Sequence, residues 1–257
     1  MTTDFSMRPQ SGKRSGFIWR TVRYHLSPLY RHVRQNYLLN KWKKHSFQNS
    51  FDWNWKAENY NRIALVNLLR SGKPDGNYLE IGCDENAVFD SVPAKYKVGV
   101  DPEKGGTLRM TSDDFFLSNK QKFDVIFIDG LHIYEQVRKD VINSINCIND
   151  GGWIALHDML PRNWIEEHVP IISLGDWNGD VWKVAFELAN TDGIDFKLLK
   201  IDRGVGVIRM SRPNVKLTDL RKKLDHERFE YLYANLSKLP LASWEEAYDW
   251  IKTSRHS

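Results

Sequence analysis

Short apolar runs, several of them closed by an acid, recur through the middle of this chain. Residues 123–128 (FDVIFI) are β-branched at Val125, Ile126 and Ile128 and stop abruptly at Asp129-Gly130. Beyond His132 and Tyr134, the apolar positions Val137, Val141, Ile145 and Ile148 recur at helical spacing. The pattern predicts a buried parallel strand, a polar tip and a crossover helix running to about residue 148. Upstream, residues 58–70 carry the helical stripe Ile63, Val66, Leu68 and Leu69, stopped by Gly72 and Pro74. Further strands are predicted at 77–81, 97–100, 108–110, 153–156, 196–201 and 205–210, the last two joined by the hairpin signal Asp202-Arg203-Gly204. Helices are predicted at 86–92 and 181–189. Asp150-Gly151-Gly152 reads as a turn into the strand at 153, and 159–179 as a long polar, aromatic loop. The tail, 216–235 and 243–252, reads as two more helices.

Strands alternating with helices predict an α/β fold: a doubly wound, mostly parallel seven-stranded sheet ending in an antiparallel hairpin, with N- and C-terminal helices added. Three regions follow: an N-terminal extension over 1–57, a main domain over 58–212 and C-terminal helices over 213–257. Within the extension, 1–16 is polar and expected to be unstructured. Residues 17–26 alternate loosely between apolar and basic, and Ser27-Pro28 reads as a helix start. Leu29, Tyr30, Val33 and Tyr37 would share one face of that helix. Residues 45–57 are an aromatic connection through Phe47, Phe51, Trp53 and Trp55.

Charge sharpens this division. Residues 1–44 hold ten Lys and Arg against one acid, Asp4, a net +9, which leaves −5 for 45–257. The basic helix is read first as packing its apolar stripe on the main domain. A peripheral membrane contact through 17–44 stays open, and a nucleic-acid arm is disfavoured because the main domain is acidic. With 257 residues and 41% hydrophobic residues, the chain can bury a substantial core. Two cysteines, Cys83 and Cys147, argue against a disulfide framework and for a reducing, cytoplasmic setting. No apolar run approaches the roughly 20 residues of a membrane span, and no secretory leader is expected. A homo-oligomer is left open.

The chemistry gathers at the C-terminal ends of the predicted strands. Glu80 and Gly82 close the first, Asp101 the second, Ser112 and Asp113 the third, Asp129 with His132 the fourth, and His157-Asp158 the fifth. In an open α/β sheet these tips share one edge, where ligands bind. An acid after the second strand suits the two hydroxyls of a ribose, although acids also cap helices, and Pro102 follows Asp101 at a first-turn position.

These residues resemble the class I S-adenosylmethionine-dependent methyltransferases, with a Rossmann-like fold, over roughly residues 77–210. The resemblance is carried by Glu80-Ile81-Gly82, Asp101, Ser112-Asp113, the stretch Ile128-Asp129-Gly130-Leu131-His132-Ile133-Tyr134-Glu135 with Asp140 beyond it, Gly151-Gly152, Leu156-His157-Asp158 and the hairpin. It is closest in kind to small-molecule O-methyltransferases of the catechol and macrolide-sugar types. Trp177 to Lys183 resembles a further subgroup feature. The resemblance implies that Asp101 holds the ribose, that Ser112 and Asp113 lie near the adenine, and that Glu80 and Gly82 line the methionine end, with Asp129 beside the cofactor. It departs at Cys83-Asp84-Glu85-Asn86, where the family usually places more glycines.

Two mechanisms compete for the acceptor end. In one, Asp129 and Asp158, together with His157 or His132, hold Mg²⁺ or another divalent cation, which lowers the pKa of an acceptor hydroxyl. In the other, His132 or His157 is a metal-free general base beside Asp129. The implied reaction is O-methylation of a small hydroxylated acceptor such as a sugar, with the aromatic segments 47–55 and 177–183 as candidate walls for it. The rival is a non-catalytic or degenerate binding module on the same fold, motivated by the altered 83–86 loop.

Overall fold

The computed structural model describes residues 28–254. Its contacts divide the chain into two units, residues 1–44 and 45–257. In the first, helix α1 (Pro28–Lys41) forms where its spacing predicts, and Val33 and Tyr37 stand 59% and 64% exposed on it. The predicted start at Ser27, and the segments 1–16 and 17–26, lie outside the described residues. Among the described residues no helix is long and apolar enough to cross a membrane.

The second unit carries one sheet of seven strands: β1 (Tyr78–Ile81), β2 (Lys97–Val100), β3 (Phe123–Ile128), β4 (Ile148–Leu156), β5 (Ile194–Leu199), β6 (Val205–Met210) and β7 (Leu241–Ala242), in the order β2-β1-β3-β4-β6-β5-β7. β1 pairs in parallel with β2 and β3, and β3 with β4. Only β6 runs against its neighbours, antiparallel to β4 and β5. The helices are α2 (Arg62–Arg70), α3 (Ala87–Ser91), α4 (Ser112–Ser118), α5 (Tyr134–Cys147), α6 (Trp164–Glu167), α7 (Trp182–Ala189), α8 (Arg221–Leu224), α9 (Phe229–Asn235) and α10 (Trp244–Thr253).

Side chains alternate across the sheet with a period of two, and both faces are buried. Leu79, Ile126, Ile128, Ile154 and Leu156 point into a core shared with Tyr134, Val137 and Val141 of α5, Trp182 of α7 and Phe229 of α9. Tyr78, Val125, Phe127, Trp153 and Ala155 point the other way, onto Leu65, Val66 and Leu69 of α2, Phe89 of α3 and Ile251 of α10. Each fully buried aliphatic side chain in these layers contributes about 1.5–3 kcal/mol relative to exposure. This two-sided cover is why the central strands read as continuous apolar runs.

The structure corrects several predicted elements. Residues 108–110 form no strand: Leu108 makes a single parallel bridge to Val100, because β2 ends there and the chain turns at Asp101. The seventh strand is instead Leu241–Ala242, beside β5, too short to leave a periodic signal. Asp150-Gly151-Gly152 is no turn; it lies within β4, where the pairing with β3 shifts register, and Gly151 takes a φ of +67°. The loop 159–179 contains α6, and the tail segment 216–235 breaks into α8 and α9.

From β1 the chain crosses to β2 on one side and then returns past β1 to β3 on the other. The C-terminal ends of β1 and β3 therefore flank a topological switch point, where such sheets open a crevice. The two tips touch at this point. Gly82 has a φ of +83°, and a Cβ on it would collide with the Asp129 carbonyl oxygen. We expect Gly82→Ala to cost about 2 kcal/mol or more, from backbone strain and displacement of the β3 tip. Gly175→Ala has open space around it and is expected to stay within about 0.5 kcal/mol. Thermal melts of the two variants check this, and equal melting temperatures would contradict it.

Candidate active site

Every sequence-predicted site residue lines one cleft. Glu80, Gly82, Asp101, Ser112, Asp113, Asp129, His132, His157 and Asp158 surround a volume of about 650 Å³ at the carboxyl ends of β1–β4. That size suits a small-molecule cofactor together with a substrate group.

At the β1 end, Glu80 is almost fully buried and accepts a hydrogen bond from the Tyr78 hydroxyl. Burial lifts its carboxyl to about 7, against the opposing effect of that bond. The loop that follows places Asp84 and Asn86 at φ of +44° and +63°. Asp and Asn tolerate this left-handed region better than other non-glycine residues, so the 83–86 loop turns sharply without the expected glycines. Asn86 Oδ1 then accepts from Gly106 N at 2.6 Å, and Lys104 Nζ lies 2.6 Å from Asp84.

Asp101 organises this loop. Its Oδ2 accepts from the amides of Cys83 (3.0 Å) and Asp84 (3.1 Å), and its Oδ1 from those of Glu103 (2.8 Å) and Lys104 (2.9 Å). Burial pushes its pKa up, but these four amides outweigh burial and hold it below the usual value. A carboxylate offers about four lone-pair positions, and the main chain engages all of them.

On the α4–α5 side, Thr111 caps α4 by accepting from Asp114 N at 3.1 Å. The amide of Gln136, on α5, donates to Ser112 Oγ (3.1 Å), Asp113 Oδ1 (3.1 Å) and Asp140 Oδ1 (3.2 Å). One side chain thus ties the α4 start to α5.

The β3 and β4 tips bring two carboxylates and two imidazoles together. His157 Nδ1 lies 3.1 Å from Asp129 Oδ1 and 3.2 Å from Asp158 Oδ2, while its Nε2 donates to the Asp202 carbonyl at 2.8 Å. His132 Nε2 lies 3.1 Å from Asp158 Oδ2 and 3.5 Å from Asp129 Oδ1. Burial disfavours charge on either imidazole, but Asp129 and Asp158 overcome it and raise both pKa values. Reciprocally, burial pushes the Asp129 carboxyl up, and the two histidines drive it well below the usual range. One oxygen, one nitrogen and one oxygen from Asp129, His132 and Asp158 all lie within 4.8 Å of one another, a spacing able to hold a metal ion. Asp158 has a φ of +60°, and its buried Oδ1 has no hydrogen-bond partner among the described residues, only the ion pair to Arg203 Nε at 3.3 Å.

Two contributors to the site were not assigned to it from the sequence, and a third was read there as a candidate wall for the acceptor. Arg62, at the start of α2, pairs with Asp202 at 2.9 Å and approaches Asp129 at 3.5 Å. The turn Asp202-Arg203-Gly204, read there only as a hairpin, runs through φ of +41°, +63° and +89°. It delivers Asp202 to His157 and Arg203 to Asp158. The third is the segment 177–180, which holds His132. The Trp177 carbonyl accepts from His132 Nδ1 at 2.8 Å, which leaves Nε2 facing the cleft. Gly179 packs where a Cβ would collide with the His132 carbonyl, and Asp180 Oδ1 caps α5 by accepting from Tyr134 N at 2.7 Å. The role of this segment is therefore positional. The aromatic residues at 47–55 are used in packing: Phe51 stacks on Trp53 at 4.2 Å and on Tyr233 at 5.0 Å, and none of them lines the cleft. Cys83 and Cys147 are buried and free.

Residues 66–159 match the family model described as a methyltransferase domain. No curated protein matches the chain. Among solved structures, an SAH-bound methyltransferase of Podospora anserina is 15% identical, covering 80% of this chain and 99% of that one at a TM-score of 0.43. A cofactor-bound protein from MTB, Rv0187, is 12% identical over 80% of this chain and all of that one, at 0.44. The methyltransferase MycE of the mycinamycin biosynthetic pathway, in complex with Mg, SAH and mycinamycin VI, is 16% identical. That match covers 57% of this chain and 48% of that one, at 0.38.

Glu80 gives a pH test of this geometry. A carboxyl raised to about 7 in the fold favours folding most below its unfolded value of about 4.3, and that contribution is lost as pH rises through 7. Glu80→Gln should lose less stability than wild type between about pH 4.5 and 7, by on the order of 3 kcal/mol at most. Chemical denaturation across this range decides it. Parallel profiles would mean that Glu80 titrates normally.

Proposed function

We propose that the methyltransferase domain of this chain, of the class I S-adenosylmethionine-dependent kind, methylates a hydroxyl of a small acceptor such as a sugar, with help from a divalent cation. The convergence of Asp129, His132 and Asp158 at the β3 and β4 tips carries this reading. S-adenosylmethionine would supply an activated methyl group, and the cation would polarise and orient the acceptor oxygen. The residues fit both. Acids line the cofactor end of the cleft, which suits a cationic sulfonium. Two carboxylates and an imidazole suit a cation bound mainly through oxygen, and the Oδ1 of Asp158, held only by its ion pair to Arg203, is a candidate ligand atom.

The proposed ligand set takes His132 in place of His157. His157 donates through Nε2 to Asp202 and lies between both carboxylates through Nδ1, so it serves as a fixed positive charge that orients them. His132 has one nitrogen committed to Trp177 and the other presented to the cleft. The tight packing of β1 against β3 holds these groups in one geometry, which is most of what methyl transfer asks of a protein.

A metal-free base at His132 is the second reading, favoured by the same Trp177 contact.

Calorimetry with S-adenosylmethionine should show binding, and its absence would favour a non-catalytic module. Chelator should abolish methyl transfer and Mg²⁺ restore it, with Asp158→Ala matching the chelated enzyme. Full turnover in chelator would leave the His132 base. A second proposal concerns residues 17–44. Exposed Val33 and Tyr37 on a basic helix suit an anionic lipid surface. The full chain should sediment with anionic vesicles more than a chain lacking residues 1–44, and equal sedimentation would remove this role.

A further inference from the structure

The cleft is polarised along its length. Arg62, Lys104 and Arg203 are the lysine and arginine residues that line it. Lys104 stands among the acids of the cofactor end, where it pairs with Asp84 and Glu85. Arg62 and Arg203 stand at the other end, against the carboxylates of the β3 and β4 tips. The proposed methyl transfer gives neither guanidinium a task of its own.

One turn holds both of them. Asp202 Oδ2 accepts from Arg62 N at 3.0 Å and from its Nη1 at 2.9 Å, and Arg203 follows Asp202 at a φ of +63°. Such a backbone conformation persists only where its surroundings hold it. Arg203 Nη1 donates to Asp176 Oδ1 at 3.2 Å. Both Nη2 atoms, and Arg62 Nε, have no hydrogen-bond partner among the described residues. A guanidinium is a planar fork with more N–H donors than one carboxylate takes. Each therefore keeps donors for a second anion, and at 25% and 26% exposure the side chains are open to a ligand in the cleft.

A cation at the strand tips strengthens this demand. Asp129 Oδ2 lies 3.5 Å from Arg62 Nε, and Asp158 Oδ1 lies 3.3 Å from Arg203 Nε. A divalent cation that takes these carboxylates cancels their pull on the guanidiniums. Arg62 is then left with Asp202, and Arg203 with Asp176. A neutral acceptor offers them hydroxyls alone, whereas a carboxylate or phosphate meets the fork with two charge-assisted hydrogen bonds.

We propose that Arg62 and Arg203 bind an anionic group of the acceptor, a carboxylate or a phosphate, beside the hydroxyl that is methylated, and so determine specificity. This rests on the methyltransferase reading of the cleft and narrows its acceptor to an acidic one.

The test titrates glucuronate, glucose-6-phosphate and glucose into the full chain carrying S-adenosylhomocysteine and Mg²⁺, followed by calorimetry. At least one anionic sugar should bind about tenfold or more tighter than glucose, and which one does so tells carboxylate from phosphate. Its affinity should fall severalfold in about 0.5 M salt, with glucose unaffected. Arg62→Met and Arg203→Met should each cut the preference severalfold, and Arg203→Lys, a charge without the fork, should recover only part of it. If neither methionine variant folds, the salt dependence of the wild type decides the matter. Equal binding of anionic and neutral sugars, salt-independent binding, an undiminished preference in both variants, or no sugar bound while S-adenosylhomocysteine binds overturns the anion site and leaves the cofactor reading standing. Failure to bind S-adenosylhomocysteine overturns both.

Discussion

Two carboxylates and two imidazoles meet in one corner of the cleft, each acid within ion-pair distance of an imidazole. Asp129 and Asp158 raise the pKa values of His132 and His157, and the histidines hold Asp129 ionised. Removing one partner of a buried pair costs about 3–5 kcal/mol, because the other charge is left uncompensated. The surrounding elements are arranged to hold this cluster. β3 and β4 end together and present Asp129 beside His157-Asp158. The β5–β6 turn reaches back to His157, α2 brings Arg62 alongside, and the segment before α7 fixes His132.

The sheet was legible in the sequence because its strands are buried on both faces. A run such as 123–128 leaves few other structures open, and its abrupt end at Asp129 marks the tip. What escaped was set by geometry without periodicity. Leu241–Ala242 is an edge strand of two residues. Residues 108–110 have strand-like composition, but β2 is too short to pair with them. The register shift in β4 passes through Gly151 and Gly152, which read equally well as a turn.

The site was legible wherever its residues follow a strand directly. Glu80, Asp101, Asp129, His157 and Asp158 were found by position, and the cleft gathers all of them. Arg62, Asp202 and Arg203 were missed because they come from a helix start and a hairpin, far from the tips in sequence. Trp177 to Asp180 stood out as a pattern, but its purpose shows only in three dimensions, where a carbonyl, a missing side chain and a cap act on one histidine and its helix. The division of labour among the acids was likewise invisible. Asp101 and Asp140 are both acids beside the cleft, yet Asp101 is held by four main-chain amides and Asp140 by side chains of α4 and α5.

The β5–β6 hairpin is built more awkwardly than a hairpin requires. Asp202 and Arg203 both sit at positive φ, where glycine or asparagine would be at ease. A chain selected for sturdiness alone would relax this turn. It cannot do so without losing the carboxylate that meets Arg62 and the guanidinium that meets Asp158. An easier backbone and these two ion pairs therefore compete for the same two positions. A glycine or asparagine at either position would ease the backbone but give up one of these ion pairs, so stabilising changes belong elsewhere in the fold.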